Sequence, residues 1–542
     1  MDETGVVAGV IAAALALTVA LTGVASEEAV LVEGGRIVGK AEDGIRSFKG
    51  IPYVAPPVDD RRWRPPQAVV AWQGVRRAED FGAQCPQPAP PAGFSALKGP
   101  QSEDCLSLNV WTGASGPDER RPVMVWIHGG GFRDGAGSNR AYEGTALAKR
   151  GVVLVTLNYR LGPLGFLAHP ELSRESAYGA SGNYGMLDQI AALEWVQRNI
   201  TAFGGDPERV TIFGESAGST SVSVLVASPL AAGLFHRAIG ESGGSLGPMT
   251  HLKSDGVGQR GAERIGVAFA KAAGADSLEE LRALPAGHLV EVFAADRQRF
   301  RMRPIVDGWV LPDEVRRILA RGEHNQVPVI VGSNANEMTT LADLSAIPRT
   351  LEDYRKRVAS RYGDMAGEFD TFYPAANVDE AIGAYLGSLR DETFTLDMRS
   401  WARAMAVAGS PTYLYFFSHV PPIPNSEFYG AFHAAEVTYV FDNLRRTGRR
   451  FPSAEFEFAD AISRYWVSFA ASGDPNGEGL PEWLPYDRDN EPYLELGDPI
   501  RLRHHLLAPQ LDFLERFQAH REAARPSAEM WGLSNQPVLL TS

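Results

Sequence analysis

Three stretches of the chain match the pattern Gly-x-Ser-x-Gly, which is typical of serines that attack a carbonyl carbon. Their central residues are Ser216, Ser242 and Ser245. Such a serine becomes a nucleophile where a strand ends in a sharp turn into a helix, because the turn exposes its hydroxyl above the sheet. The flanking glycines let the backbone make that turn. The pattern predicts chemistry on an acyl group, but it does not show which of the three serines is the nucleophile.

The residues around each motif favour Ser216. It follows the strand-like run 210–213 (VTIF) and precedes 217–226, a Pro-free segment typical of a helix. Ser242 also follows an apolar run, but the Gly- and Pro-rich residues after it cannot open a helix. Ser245 has neither flank. We therefore predict that Ser216 is the nucleophile, against the alternative that its motif is a plain strand-to-helix turn.

A second glycine-rich stretch follows an apolar run earlier in the chain. Residues 123–127 (VMVWI) lead into His128 and then three consecutive glycines. A nucleophilic serine needs donors where negative charge develops on the carbonyl oxygen, and bare backbone N–H groups meet that need. The expected donors are the N–H groups of Gly130, Gly131 and Ala217. The alternative for the glycines alone is a flexible connector.

The elements that must hold these residues alternate between strand and helix. Short apolar β-branched runs occur at 123–127, 152–157, 210–213 and 327–331, and unbroken apolarity is typical of strands buried on both faces. Residues 186–200 have helical periodicity and no proline. This pattern predicts a parallel sheet with helices on both faces, in one large α/β domain.

Composition excludes several other classes of protein. The chain has 542 residues, a mass of 58.7 kDa and a formal net charge of −14. Its proportions of hydrophobic and charged residues are those of a globular protein and not of a disordered or coiled-coil chain. The acidic balance argues against a nucleic-acid partner, because phosphates would be repelled. Length alone would suggest about three domains, at roughly 100–200 residues per domain.

The only two cysteines are Cys85 and Cys105. In an exported protein a pair at this spacing readily closes a loop, whereas in a cytosolic protein two such residues are most often inert core thiols. The enclosed stretch is rich in Pro and Gly, so neither a helix nor a central strand is expected there. We predict a disulfide. Two cysteines without matching histidines nearby are too few for a metal site.

The N-terminus contains the one long apolar run of the chain. Residues 6–26 carry no charge and contain many small residues, which is typical of an export signal occupying about residues 1–25. Asp2 and Glu3 depart from the positive start that such signals have. The alternatives are an uncleaved anchor at 6–26, since the run could span a bilayer, and a misassigned start or buried helix. The prediction is a secreted, cell-surface or periplasmic protein.

Together these motifs resemble the type B carboxylesterase and cholinesterase family of α/β-hydrolases. The resemblance covers nearly all of 29–510 and implies a large, mostly parallel sheet, flanked by helices, with insertions forming the active-site mouth. We expect one domain at 29–520 and a tail at 521–542. The matching stretches are 48–53, 55–57, 102–110, 129–132, 158–160, 182–185, 188–189, 203–207, 304–308 and 473–476.

The family resemblance implies a Ser-His-Glu triad. His433 lies in a stretch similar to the family's Gly-x-x-His-x-x-Glu pattern, and Glu337 follows the run 327–331 at the family position. Asp343 is the alternative acid. The chain order Ser, Glu, His is that of α/β-hydrolases. Glu215, beside the nucleophile, also matches the family, and an electrostatic or water-positioning role is expected for it.

The remaining candidates receive structural roles. The resemblance makes Glu436 a structural partner of the site and places His128 in the oxyanion loop, whereas His504 and His505 are expected at the surface.

The implied activity is hydrolysis of a carboxylic ester through an acyl-enzyme, with no cofactor and no metal. The loop between Cys85 and Cys105 lacks the tryptophan with which cholinesterases bind quaternary ammonium. A small neutral ester is therefore the expected partner, with no nucleic acid and no membrane contact except through an uncleaved anchor. The alternative class is an inactive adhesion or binding protein on the same fold. The sequence leaves the oligomeric state open.

Overall fold

The computed structural model describes residues 29–89, 99–255 and 260–523. The predicted export signal or anchor at 1–25 and all but the first residues of the predicted tail at 521–542 lie outside the described residues. The boundaries 29–520 of the domain stay a prediction.

Within the described residues there are fourteen strands, and we number them β1 to β14 in chain order. They are Val30–Val32, Gly35–Val38, Lys40–Glu42, Ile45–Pro52, Val75–Arg77, Ser107–Thr112, Arg121–Ile127, Val153–Leu157, Gly205–Glu215, Arg237–Glu241, Val329–Asn334, Thr412–Phe417, Pro492–Leu496 and Arg501–His504.

Eighteen α-helices, α1 to α18, occur in the same part of the chain. They are Thr145–Lys149, Gly162–Phe166, Pro170–Glu175, Tyr184–Asn199, Ala217–Ala227, Ala262–Ala272, Leu278–Ala283, Ala286–Ala295, Val315–Arg321, Met338–Leu341, Leu351–Tyr362, Ala366–Phe372, Val378–Arg390, Leu396–Val407, Ser426–Tyr429, Val437–Val440, Ser453–Ser472 and Ala508–Ala523.

Eleven of the described strands form one sheet in the order β14-β13-β12-β11-β10-β9-β7-β8-β6-β4-β3. The run from β8 through β7 and β9 to β13 is parallel, and the strands at both edges are antiparallel. Strands β1, β2 and β5 form a separate small sheet. The predicted α/β fold with a mostly parallel central sheet is confirmed.

The central strands are buried because apolar clusters cover both faces of the sheet. Along β7, Val123 and Val125 pack into one large cluster, whereas Met124 and Trp126 pack into a second. Successive side chains of a strand point to opposite faces, so the two clusters lie on the two sides of the sheet. This arrangement explains the unbroken apolar runs, and all four predicted strands and the helix predicted at 186–200 are present.

The parallel strands all end at one edge of the sheet. The carboxyl ends of β7, β9 and β11 lead directly into the glycine loop, the Ser216 turn and the loop of Glu337, in that order. Open α/β sheets bind ligands at this edge. The sheet topology therefore brings together residues that lie far apart in the sequence. Among the helices of the described part of the chain, none has both the length and the apolarity needed to cross a bilayer.

The predicted disulfide between Cys85 and Cys105 is present. Both cysteines are buried, and the backbone beside them is tied to the glycine loop. Gln87 Nε2 donates to the carbonyl oxygens of Cys85 and Gly135, each at 3.0 Å, and Gln87 Oε1 accepts from Gly135 N at 2.9 Å. The crosslink thus holds a segment that supports the loop after β7.

Replacing both cysteines by alanine, Cys85→Ala with Cys105→Ala, should lower the free energy of unfolding by about 2–4 kcal/mol. The crosslink restricts the unfolded chain over a sequence separation of 20 residues. Urea unfolding of the two proteins measures the difference. A reductant should lower the stability of the wild type toward that of the double variant and leave the variant unchanged. Equal stability of the wild type and the double variant in the absence of reductant would contradict the prediction.

Candidate active site

Ser216 occupies a sharp turn between β9 and α5. Its backbone has φ 58° and ψ −120°, which few side chains adopt without support. Ser216 N donates to the carbonyl oxygen of Glu241 at 2.8 Å, which fixes the turn against the neighbouring strand. Glycine is required at Gly218, because a Cβ there would lie 2.0 Å from the carbonyl oxygen of Ile127. The strand-turn-helix context expected for Ser216 is therefore present.

The two other motif serines have different surroundings. Ser242 follows β10, is fully buried and is succeeded by coil, as its glycines indicated. Ser245 lies in that coil and lines the same cleft as Ser216. Among the three serines, Ser216 alone combines a strand before it, a helix after it and contact with the cleft.

The glycine loop packs directly against the serine turn. A Cβ on Gly129 would lie 2.7 Å from the carbonyl oxygen of Glu215 and 3.1 Å from Ser216 Cβ. Gly130 and Gly131 have φ values of +102° and +64°. Within the described residues, neither of their N–H groups has an acceptor in the protein. Ala217 begins α5, where the first N–H groups of a helix have no partner inside the helix.

Gly131, Ser216 and Ala217 line one cleft that is open to solvent and has a volume of about 320 Å³. The cleft brings the serine together with two of the three residues whose N–H groups are expected to bind an oxyanion, whereas Gly130 is not among the lining residues. A substrate of several carbon atoms fits a cleft of this size.

His433 lies between two carboxylates. Its Nδ1 is 2.6 Å from Glu337 Oε2, and its Nε2 is 2.9 Å from Glu215 Oε1. The side chains of all three residues are at least nine-tenths buried. Within the described residues, Nε2 is therefore paired with Glu215 and not with the Ser216 hydroxyl. The sequence placed Glu215 beside the nucleophile but did not reveal its contact with the imidazole.

Two asparagines position Glu337 and His433 relative to each other. Asn334 N donates to Glu337 Oε1 at 2.8 Å, and Asn334 Nδ2 donates to the carbonyl oxygen of Phe432 at 2.9 Å. The backbone of Asn336 donates to the carbonyl oxygen of Ala431, and its side chain accepts from Ala431 N. These bonds fasten the loop after β11 to the loop that carries His433. Sequence reasoning did not identify either asparagine.

Two further carboxyl groups lie near Glu215. Glu436 accepts from Asn334 Nδ2, and Glu241 Oε1 accepts from Trp466 Nε1 at 2.8 Å. Both glutamates are fully buried. Burial, Glu215 and Glu337 raise the pKa of Glu436 to about 8. Burial first, and then Glu436 and Glu215, raise the pKa of Glu241 well above its ordinary value.

The carboxylates control the charge of His433. Burial lowers the pKa of the imidazole, but Glu215 and Glu337 outweigh burial and raise that pKa well above its ordinary value. An imidazole held in this way is stabilised in its charged form. The site can therefore take up a proton at His433 with little electrostatic cost.

Glu241 is a site residue that the sequence analysis did not single out. Gly214-Glu215-Ser216 and Gly240-Glu241-Ser242 are the same tripeptide on neighbouring parallel strands, and Glu241 pairs with Glu215 in the register. Paired residues of adjacent strands place their side chains on the same face. The repeated tripeptide was the signal that could have found this second buried carboxyl group.

The other sequence candidates lie elsewhere. Asp343 is exposed, and its side chain accepts hydrogen bonds from Ser345. His128 is buried, stacks on Tyr159 at a ring distance of 4.4 Å and has its pKa lowered to about 4 by burial. His504 and His505 are exposed. In the described part of the chain, no cluster of three or more His, Cys, Asp or Glu residues could hold a metal ion.

A sheet of this order, with a serine turn after β9 and a glycine loop after β7, defines an α/β-hydrolase. A model of the carboxylesterase family matches residues 26–514. The chain therefore belongs to the carboxylesterase family. Within the predicted resemblance, it is similar to carboxylesterases rather than to cholinesterases. It is a carboxylic ester hydrolase of the serine esterase type.

Similar proteins agree with this assignment. The chain is 38% identical to fumonisin B1 esterase of Sphingopyxis macrogoltabida over 468 residues. The aligned region covers 83% of this chain and 83% of the relative. It is 35% identical over 503 residues to para-nitrobenzyl esterase of Bacillus subtilis, covering 88% of this chain and 96% of the relative.

Solved structures show the same fold. A carboxylesterase of Geobacillus stearothermophilus superposes with a TM-score of 0.78 at 34% identity, over 90% of this chain and 99% of the other. A structure of PNB esterase superposes with a TM-score of 0.79 at 33% identity, over the same shares of the two chains.

Gly130→Ala should destabilise the protein more than Gly131→Ala. A Cβ on Gly130 would lie 2.0 Å from the carbonyl oxygen of Asp134, whereas a Cβ on Gly131 would meet nothing within 4 Å. We expect Gly131→Ala to cost about 1–2 kcal/mol, the cost of a left-handed backbone alone. Gly130→Ala should cost about 2 kcal/mol more, because the loop must shift. Urea unfolding measures both, and equal losses would contradict the prediction.

Proposed function

We propose that this carboxylesterase works through Ser216, His433 and Glu337. The observation that carries the proposal is the position of the His433 imidazole. It is held by Glu337 through Nδ1, and it lies beside Glu215, the residue that immediately precedes the Ser216 turn. With Nδ1–H bonded to a carboxylate, Nε2 is the nitrogen that can accept a proton.

In the first half of the reaction, Ser216 Oγ attacks the ester carbonyl carbon while His433 Nε2 takes the hydroxyl proton. The negative charge on the carbonyl oxygen is bound by the N–H groups of Gly130, Gly131 and Ala217. When the tetrahedral intermediate collapses, the bond to the alcohol breaks, and Nε2 gives its proton to the leaving oxygen. The product is an acyl-enzyme on Ser216.

In the second half, water attacks the acyl carbon and gives its proton to Nε2. The bond to Ser216 Oγ then breaks, and the proton returns to that oxygen. Glu337 keeps the imidazole in the required tautomer and stabilises its charged form. Glu215 acts through His433: it holds Nε2 in the resting state and supports the imidazolium during the reaction.

Two observations support an exported protein. Disulfides persist in oxidising compartments, and the chain has a disulfide between Cys85 and Cys105. The apolar run at 6–26 would supply the export signal and leave 29–520 as the hydrolase domain. Mass spectrometry of the mature N-terminus distinguishes a cleaved signal from an anchor.

Ser216→Ala should lower kcat for p-nitrophenyl butyrate by about a thousandfold or more without unfolding the protein. Ser242→Ala is the matched control, since Ser242 has the same motif on the next strand, and it should keep most of the activity. The wild type should show a burst of p-nitrophenol, and a serine-directed organophosphate should label the peptide of Ser216. Wild-type activity in Ser216→Ala, or labelling of another serine, would overturn the assignment. Absence of any p-nitrophenol release, in the burst or in the steady state, would contradict the mechanism and favour a binding role.

Glu215→Gln should shift the pH dependence of kcat/KM. The reaction requires neutral His433, so activity rises as pH increases through the pKa of the imidazole. Glu215 raises that pKa, so its neutralisation should move the rising limb to lower pH, by about one unit or more. Asp343→Asn removes an exposed carboxylate without contact to His433 and should leave the profile in place. A profile unchanged in Glu215→Gln would show that Glu215 does not act on the imidazole.

A further inference from the structure

Two arginines line the cleft that contains Ser216. Arg301 and Arg303 lie in the segment that joins α8 to α9, and both belong to the cleft wall together with Gly131 and Ala217. Both residues keep solvent-exposed surface, and Arg303 lies deeper among protein atoms. Both residues therefore border the space that the substrate must enter.

The backbone fixes both arginines on the same side of their segment. Burial alternates along it, so Met302 and Pro304 are buried in the protein while Arg301 and Arg303 are exposed. The residues that follow are held firmly, because Ile305 N donates to Asn183 Oδ1 at 3.0 Å and Asn183 Nδ2 donates to the carbonyl oxygen of Ile305 at 2.9 Å. The two guanidinium groups are thus presented together by an anchored segment.

Neither arginine has a counterion among the residues that the structure describes. Within the described residues, no ion pair or hydrogen bond involves the side chain of Arg301 or Arg303, although the protein carries many arginine ion pairs elsewhere. Burial and the neighbouring charge of Arg301 lower the pKa of Arg303. Two like charges placed side by side without a partner are unfavourable until an anion lies between them.

One acidic group shares the cleft with the arginines. Asp397 lines it and accepts a hydrogen bond from Leu246 N at 3.3 Å. Burial raises the pKa of Asp397 to about 7, so this carboxyl group is only partly charged at neutral pH and is uncharged in more acidic solution. The charged groups of the cleft wall therefore add up to a positive charge, in a protein whose formal net charge is −14.

We propose that Arg301 and Arg303 bind a free carboxylate of the substrate, so that the preferred substrates are esters of dicarboxylic or polycarboxylic acids, or other esters with a carboxylate near the scissile bond. The proposal rests on the proposed function of Ser216 and deepens it. A guanidinium binds a carboxylate through two parallel N–H···O bonds. The absence of a tryptophan from the disulfide loop disfavours cationic esters, and the arginines then select anionic esters over neutral ones.

The test compares esters that differ by one carboxylate. Mono-p-nitrophenyl glutarate and p-nitrophenyl pentanoate have acyl chains of equal length, and only the glutarate ester carries a charge. A second pair, 4-carboxyphenyl butyrate and phenyl butyrate, places the carboxylate on the alcohol side. In at least one pair, the wild type should prefer the charged ester in kcat/KM by about tenfold or more. Added NaCl should reduce that preference.

The variant Arg301→Gln/Arg303→Gln should lose the preference for the charged ester. Arg297→Gln is the matched control, because Arg297 is an exposed arginine just before the segment and does not line the cleft. It should keep the wild-type ratio. No charge preference in either pair, or a preference that survives in the double variant, would overturn the proposal. Thermal unfolding of each variant checks that the fold is intact.

Binding separates this proposal from the proposed mechanism. In Ser216→Ala, which removes the nucleophile but keeps the arginines, calorimetry should show tighter binding of the charged ester than of the neutral ester. Loss of that difference in Ser216→Ala/Arg301→Gln/Arg303→Gln would support the arginines as the anion site. Equal binding of the charged and the neutral ester of each pair by Ser216→Ala would overturn the proposal that the two arginines bind a carboxylate. Failure of the wild type to hydrolyse any of these esters would instead contradict the function assigned to Ser216.

Discussion

The paired contact of His433 with Glu337 and Glu215 is the interaction on which the rest of the site depends. An ionisable group buried without a partner costs several kcal/mol, so the interior accepts an imidazole that gains a proton only if carboxylates are already in place. Here one carboxylate faces each ring nitrogen, at 2.6 and 2.9 Å. In the proposed mechanism, the groups that stabilise a charged His433 are thus in place before substrate binds, which is how a preorganised site lowers a barrier.

The sheet makes this arrangement possible. In a parallel sheet the carboxyl ends of successive strands meet at one edge, and the register between β9 and β10 sets Glu215 beside Glu241. Burial first, and then Glu436 and Glu215, raise the pKa of Glu241 well above its ordinary value. Trp466 Nε1 donates to one oxygen of Glu241. Of the two paired glutamates, Glu215 is the one that contacts His433.

The sequence predicts local features of this chain better than contacts between distant segments. Ser216 could be chosen from three motifs because its strand and helix flanks are adjacent in sequence, and the apolar strands follow from burial on both faces. The contact of Glu215 with His433 joins residues more than two hundred positions apart, and no local pattern encodes it. Asn334 was missed for the same reason. The roles of Glu337 and His433 were inferred from the family resemblance and stay predictions. The contact of 2.6 Å between Glu337 Oε2 and His433 Nδ1 is consistent with those roles.

The positive charge of the cleft contrasts with the acidic composition of the whole chain, and the sequence alone did not reveal this contrast. Most exposed arginines in such a protein gain little from an ion pair, and an unpaired guanidinium at the surface costs nothing. The situation differs inside a cleft, where low-dielectric walls concentrate the field of a fixed charge. Arg301 and Arg303 therefore contribute positive charge to the cleft that contains Ser216, opposite in sign to the net charge of −14. Capture of an anion in such a molecule depends on the cleft itself, because the surrounding surface repels the anion. Hydrolysis leaves a new carboxylate on the acyl product, so the same positive field would hold the acid product more firmly than a neutral alcohol.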